Sequence, residues 1–145
     1  MTHPFEHHTD VGWFDLDANR HLKNTAYMEK AVDCRLRFFA ANHFAFDELA
    51  RLKVAFVVVR DEITYSRELF LGDKMRVQIL CGGVNASGSR FLVVNRIFAA
   101  DGACVYEIRS MLVWLDTEKR KSCTPPPALA ALIEGLARTE DYRAL

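Results

Sequence analysis

One segment limits what this chain can fold into more than any other. Between residues 25 and 41, Tyr27, Ala31, Cys34 and Phe38 recur at spacings of four, three and four, and Met28, Val32, Leu36 and Phe39 widen the same face. That period belongs to an amphipathic helix with a broad buried side. Glu29, Lys30, Asp33, Arg35 and Arg37 fall mostly off it, as solvent-facing charges. Asn24 or Thr25 is the expected N-cap. Beyond the helix the chain turns β-like. KVAFVVVRDEITYSREL, MRVQILCG, RFLVVNRIFA and CVYEIRSMLVWLD are rich in β-branched and aromatic residues, and FLGDK, GVNASGS and ADGA separate them. Ahead of the helix, EHHTDVGWFDLD reads as a further strand with Gly12 as an irregularity. Pro125 to Pro127 stop the last strand, and ALAALIEGLAR reads as a short helix that Pro127 can open. Strands joined by such short turns pair antiparallel. The expectation is an α+β domain in which an antiparallel sheet of about five strands wraps one long central helix, with a short C-terminal helix.

The 145 residues fit one domain spanning 1–145. A chain of that length buries roughly 68–70% of its unfolded surface, so no cross-link is needed. Cys34, Cys81, Cys104 and Cys123 form no C-x-x-C pair and are expected to be reduced thiols packed as small apolar groups. Basic and acidic side chains number 19 each, which argues against nucleic acid as a partner. MTHPFEHH lacks an apolar signal core, and no apolar run approaches the ~20 residues of a membrane span. A cytoplasmic location is expected.

The densest polar chemistry stands immediately before the helix, in DLDANRHLKN. A helix N-terminus presents unpaired N–H groups and positive potential, which polarise a carbonyl or hold an anion. Asp17, Asn19, His21 and Asn24 bring a carboxylate, two amides and an imidazole to that place. A nucleophile or base beside an oxyanion site is what acyl transfer needs. The same residue types also serve as ordinary caps and turn formers. Asp15, Asp17 and His21, with one of His7 and His8, are a possible metal set, although adjacent strand residues point to opposite faces.

DLDANRHLKNTAY resembles the signature of hotdog-fold thioesterases, D-x-D-x-x-G-H-x-N-N-x-x-Y, and more closely the acyl-acyl-carrier-protein thioesterase form D-L-D-x-N-x-H-x-N-N-x-x-Y. ITYSRELFLGDKMRV is similar to that family's strand ending in R-E before a G-D turn, GSRFLVVNRIFAADGACVYEIRSMLVWLD resembles its closing hairpin, and PPPALAALI its C-terminal segment. The likeness covers nearly the whole chain. Arg20 stands where many members have Gly, Lys23 replaces the first Asn of the pair, and Leu69 follows Glu68 where plant-type enzymes have Cys.

The resemblance implies an acyl-thioester hydrolase without cofactor or metal, acting on acyl-CoA or an acyl-carrier protein. Asp17 is its catalytic carboxylate, as nucleophile or as general base. His21 and Asn19 orient the reacting groups, and Glu68 holds water. Backbone N–H groups at Lys23, Asn24 and Thr25 receive the oxyanion. Arg67 and Arg90 are candidates for the phosphates of coenzyme A, with Lys119, Arg120 and Lys121 as further cations. Asp15 is expected to be a structural hydrogen bonder and Tyr27 a core residue. Met28, Val32, Phe38 and Phe39 either line an acyl tunnel or pack on the sheet. The resemblance further implies a homodimer or homotetramer with sites at the subunit interface. Two other readings are a hotdog module that binds acyl thioesters without turnover, and a dehydratase or isomerase. Against the latter, the helical acids Glu29 and Asp33 lie among the exposed charges.

Overall fold

The computed structural model describes residues 3–145. The central helix is α1, Asn24–Ala41. Lys23 occupies its cap position and no side chain caps it, because the backbone before it is held by a loop rather than by an Asn or Thr hydrogen bond. Six strands make one sheet: β1 (Phe5–Asp10), β2 (Val54–Tyr65), β3 (Lys74–Val84), β4 (Arg90–Ala99), β5 (Cys104–Asp116) and the two-residue β6 (Lys121–Ser122). A second helix, α2 (Phe46–Leu52), which the sequence reading does not contain, precedes β2. The C-terminal helix, α3, is Pro127–Glu134, with Pro127 in its first turn. No described helix is long and apolar enough to cross a membrane.

The sheet wraps α1 as expected, and all pairs of strands are antiparallel. Ala26, Tyr27, Ala31, Cys34, Phe38 and Phe39 bury the helix against it. The small side chains of Ala26 and Ala31 let the sheet come close to the helix axis. At the far end of α1, Phe39 stacks on Phe56 at 5.0 Å and meets Trp114 edge-on at 6.0 Å. β3 is buried on nearly every residue, because α1 lies on its inner face and α3 with the C-terminal tail on the other. Cys81 N–H donates to Ala137 O, and Thr139 N–H donates back to Cys81 O.

The structure departs from the sequence reading in several further places. The first strand stops at Asp10, and Trp13–Asp15 form a 3-10 turn. The Asp15 carboxylate captures the Gly12 N–H at 2.8 Å, which offers the backbone an alternative to a ladder. The strands do not form a simple meander. Their order is β1-β3-β4-β5-β2, so β2 pairs with β5 at one edge and residues 66–73 carry the chain across to β3, which lies inside the opposite edge strand β1. Cys104 is exposed rather than packed. The charges of α1 do not all face solvent, since Arg35 is only 2% exposed.

β2 ends the sheet as an edge. Val57 to Glu62 are all exposed, although alternate side chains point to the inner face, because α1 does not reach over this end. The register with β5 slips between Val58 and Arg60, a bulge that bends the strand.

Candidate active site

The segment DLDANRHLKN folds as a small loop closed at its base. Leu16 bridges Leu22, Asp17 N–H donates to His21 O at 2.9 Å, and Lys23 N–H donates to Asp15 O at 2.8 Å. Ala18, Asn19 and Arg20 form the exposed tip. Arg20 has φ 67°, the left-handed region that glycine enters without penalty. That accounts for glycine at this place in many hotdog thioesterases, and the Arg costs about 1 kcal/mol of local strain.

The loop folds back around the Asp17 carboxylate. Oδ1 accepts the N–H of Asn19 at 2.8 Å and of His21 at 3.2 Å, and Oδ2 lies 3.2 Å from His21 Nδ1. Partial burial raises the Asp17 pKa, but the two N–H donors and the His21 ring outweigh it and hold the carboxyl below its ordinary range. The other imidazole nitrogen, Nε2, lies 4.0 Å from Glu68 Oε2. Phe70 meets the His21 ring edge-on at 5.8 Å, which restricts its rotation.

Glu68 arrives on the crossing segment, residues 66–73, and three contacts fix that segment to the start of α1. Leu22 N–H donates to Leu69 O at 2.7 Å, His21 bridges Phe70, and the Tyr27 hydroxyl donates to Arg67 O at 2.9 Å. The Tyr65 hydroxyl adds a bond to Asn24 O at 3.0 Å. The resulting cleft, of about 940 Å³, is lined by Asp17, His21, Asn24, Tyr27, Tyr65 and Glu68 among others. Sequence reasoning places Tyr27 in the core; it is buried there and also walls the cleft. Tyr65 escapes sequence reasoning, because at a strand end only its pairing with β5 turns it toward the site.

The remaining predicted residues are distributed unevenly. The Asn19 side chain stands on the exposed loop tip, and only its N–H reaches Asp17. Lys23 N–H is held by Asp15 O, and its ammonium donates to Phe14 O at 3.2 Å. Asn24 and Thr25 open α1, where N–H groups have no helical acceptor behind them. Arg67 lines the cleft with its guanidinium forked onto Asp101 at 2.8 and 3.0 Å. Arg90 begins β4, whereas Ala99 at the other end of that strand is the residue that lines the cleft. Lys119, Arg120 and Lys121 lie at the turn into β6, beyond Asp116, which pairs with Val54 at the end of β2 away from Tyr65. Asp15 faces away from the cleft, bonded to Gly12 N–H and 3.1 Å from Lys30 Nζ, and it ties the loop to α1. Phe38 and Phe39 pack in the core, with Met28 against its edge. Among the described residues, no group of three or more His, Cys, Asp or Glu side chains could hold a metal ion.

An ionised carboxylate, an imidazole bonded to it and a second carboxylate thus meet at a helix N-terminus, in an open cleft. The arrangement can deliver a nucleophile or a base to a carbonyl whose oxygen faces the helix.

Solved structures share this architecture. A hypothetical protein from Staphylococcus aureus, described in complex with CoA, is 20% identical with a TM-score of 0.85, over 96% of this chain and 89% of that one. A 1,4-dihydroxy-2-naphthoyl-CoA thioesterase from Synechocystis is 16% identical with a TM-score of 0.80, over 90% of this chain and 96% of that one. No curated protein sequence matches the chain. Residues 11–133 match the family model of the thioesterase-like superfamily. Since that match runs over most of its length, the chain belongs to the thioesterase-like superfamily and is a thioester hydrolase.

Proposed function

We propose that this protein hydrolyses acyl-CoA thioesters, with Asp17 as the catalytic carboxylate. The observation that carries the reading is the Asp17–His21–Glu68 line at the start of α1. In one route Asp17 takes a proton from water as the water oxygen bonds to the carbonyl carbon. In the other its carboxylate bonds to that carbon directly, and water later cleaves the anhydride. In both, the carbonyl electrons move onto oxygen, facing the N–H groups of Asn24 and Thr25. One such donor is typically worth about 3–4 kcal/mol of barrier. Collapse breaks the carbon–sulfur bond and releases the CoA thiolate, which takes a proton from solvent. His21 holds Asp17 in place, and Glu68 orients water from the opposite side. The CoA-complexed relative and the naphthoyl-CoA thioesterase favour coenzyme A over a carrier protein as the thiol.

The working unit in this reading is a homodimer. β2 offers a free edge with exposed Val57, Val58 and Val59 in its middle. An uncovered apolar edge strand invites pairing with another strand. Tyr65 stands at the end of β2 and walls the cleft, so a second copy on that edge would border the site.

The test is thiol release across a panel of acyl-CoAs, with Asp17→Asn in parallel. Release by the wild type, reduced at least about 100-fold in the variant, is the expected result. Binding of acyl-CoA without release by either protein would support the acyl-binding module instead.

A further inference from the structure

Asp15 and Asp17 stand two residues apart, yet only Asp17 lines the cleft. The Asp15 carboxylate turns the other way and meets a side chain of the helix. Its Oδ2 accepts the Gly12 N–H at 2.8 Å and lies 3.1 Å from Lys30 Nζ. Partial burial raises the Asp15 pKa, but the Gly12 N–H and the Lys30 ammonium outweigh it and hold the carboxyl below its ordinary range. The Lys30 and Asp15 side chains are only 21% and 18% exposed, whereas Arg37 and Asp33, also paired on α1, are 54% and 46% exposed. A shielded pair is screened less by water and salt than an exposed one.

The place of this pair in the chain gives it leverage over Asp17. Residues 15–23 form a narrow hairpin closed by successive rungs: Lys23 N–H to Asp15 O at 2.8 Å, the bridge between Leu16 and Leu22, and Asp17 N–H to His21 O at 2.9 Å. One arm runs through Lys23 directly into α1. The other arm ends at Asp15, and the Lys30 ammonium joins that side chain to the helix. Lys23, Ala26 and Lys30 follow one stripe, at spacings of three and four, and helical side chains lean toward the N-terminus. Lys30 thus reaches back from the second turn of α1 to the base of the hairpin. Fixing both arms to α1 sets the tilt of the hairpin over the helix N-terminus. That tilt sets how the Asp17 carboxylate stands relative to the N–H groups of Asn24 and Thr25.

Resting on the reading of Asp17 as the catalytic carboxylate, we propose that Lys30 is a positioning residue for the hydrolysis: through Asp15 it holds the Asp17 hairpin against α1, so that the carboxylate and the N–H groups of the helix converge on one carbonyl. Neither Lys30 nor Asp15 lines the cleft, so their loss leaves its binding contacts in place and relaxes only the alignment of the reacting groups. A displacement of about 1 Å is enough to slow such a reaction on the order of 100-fold.

The experiment compares steady-state kinetics and amide exchange in the full-length wild type, Lys30→Met, Lys30→Arg, Asp15→Asn, and Lys30→Met combined with Asp15→Asn. The substrate is the fastest of acetyl-, octanoyl-, palmitoyl- and benzoyl-CoA. Lys30→Met keeps an unbranched side chain and removes its charge; it should lower kcat about 30-fold with KM within about twofold. Lys30→Arg restores the charge and should bring kcat back to within about threefold of the wild type. The combined variant should lie within about twofold of Lys30→Met, because both changes break one contact. The amides of Asp17 and Lys23 should exchange about tenfold faster in Lys30→Met, with those of β3 unchanged. A rise in KM at constant kcat, an equal loss in Lys30→Arg, losses that multiply in the combined variant, or unaltered exchange at Asp17 and Lys23 would each overturn the proposal. So would exchange that quickens equally in β3, the mark of a pair that stabilises the whole fold. Amide exchange needs no turnover. A wild type that cleaves none of the four thioesters therefore ends the hydrolytic reading, while exchange still decides whether Lys30 secures the hairpin.

Discussion

Asp17 illustrates how far a single residue can be read. Its neighbours in sequence already suggest a carboxylate beside a helix start, and the loop that supplies two N–H donors to Oδ1 is local. Those donors stabilise the anion, so the carboxyl titrates below its ordinary pKa of about 3.9. In the proposed mechanism the ionised form acts, so turnover should be complete above that pKa and lost as pH falls through it. We expect turnover to hold as pH is lowered to about 4 and to fall below it, measured as kcat on an acyl-CoA in acid-stable buffers. A fall beginning near pH 6 would assign the acid limb to another group. Arg35 shows the opposite case. On a helical wheel its neighbours three and four residues away, Ala31, Val32, Phe38 and Phe39, are apolar, so the period itself puts it on the buried face, against the rule that a lone charge is ordinarily solvated. Its partners Asn95 and Ser110 lie 60 and 75 residues away on two strands, so nothing local shows what would pair it there.

At the scale of elements, α1 is legible because its period is strong and its boundaries lie in polar loops. The four strands after it are legible for similar reasons, since β-branched runs alternate with turn residues. Which strands pair is not. Short connections imply neighbours in the sheet, yet residues 66–73 lead β2 and β3 to opposite sides of it. β2 also keeps its exposed valines, Val57 to Val59, at the edge proposed to join two copies. In that homodimer, replacing Val58 with Lys should weaken dimerisation on the order of 100-fold, since a symmetric interface loses about 1.5 kcal/mol of burial in each copy. Sedimentation at several concentrations reads this directly. Wild-type and variant proteins that sediment alike would show that β2 is not the joining edge.

For the molecule as a whole, the C-terminal tail secures the outer face of the sheet. Arg143 N–H donates to Gly82 O and Leu145 N–H to Val84 O, and a Cβ on Gly83 would collide with Arg143 O. Arg96 reaches Glu140 with both terminal nitrogens, at 3.1 and 2.9 Å. That pairing holds the Glu140 carboxyl down to about 2, against about 4.3 for a free side chain. A depressed folded value means that the contribution to docking is whole above about pH 4.3 and is lost as pH falls toward 2. Because Glu140 is largely exposed, the loss is small for the fold but local to the tail. Amide exchange should therefore quicken in residues 137–145 between pH 4 and 2, after correction for intrinsic rates, before it does so in β3. Uniform protection across that range would remove Glu140 as the fastener.

The crossing segment also bears on how the enzyme comes into being. Its route is meaningful only once α1 and the far ends of β3 and β5 are in place, so its contacts close long loops and form late. Helical signal on dilution from denaturant should therefore return ahead of the ability to bind an acyl thioester. A nascent chain would carry Asp17 and His21 for much of its synthesis without Glu68 beside them. In the proposed mechanism competence then marks completed topology, since a chain whose crossing is unmade has yet to bring Glu68 to Asp17 and His21.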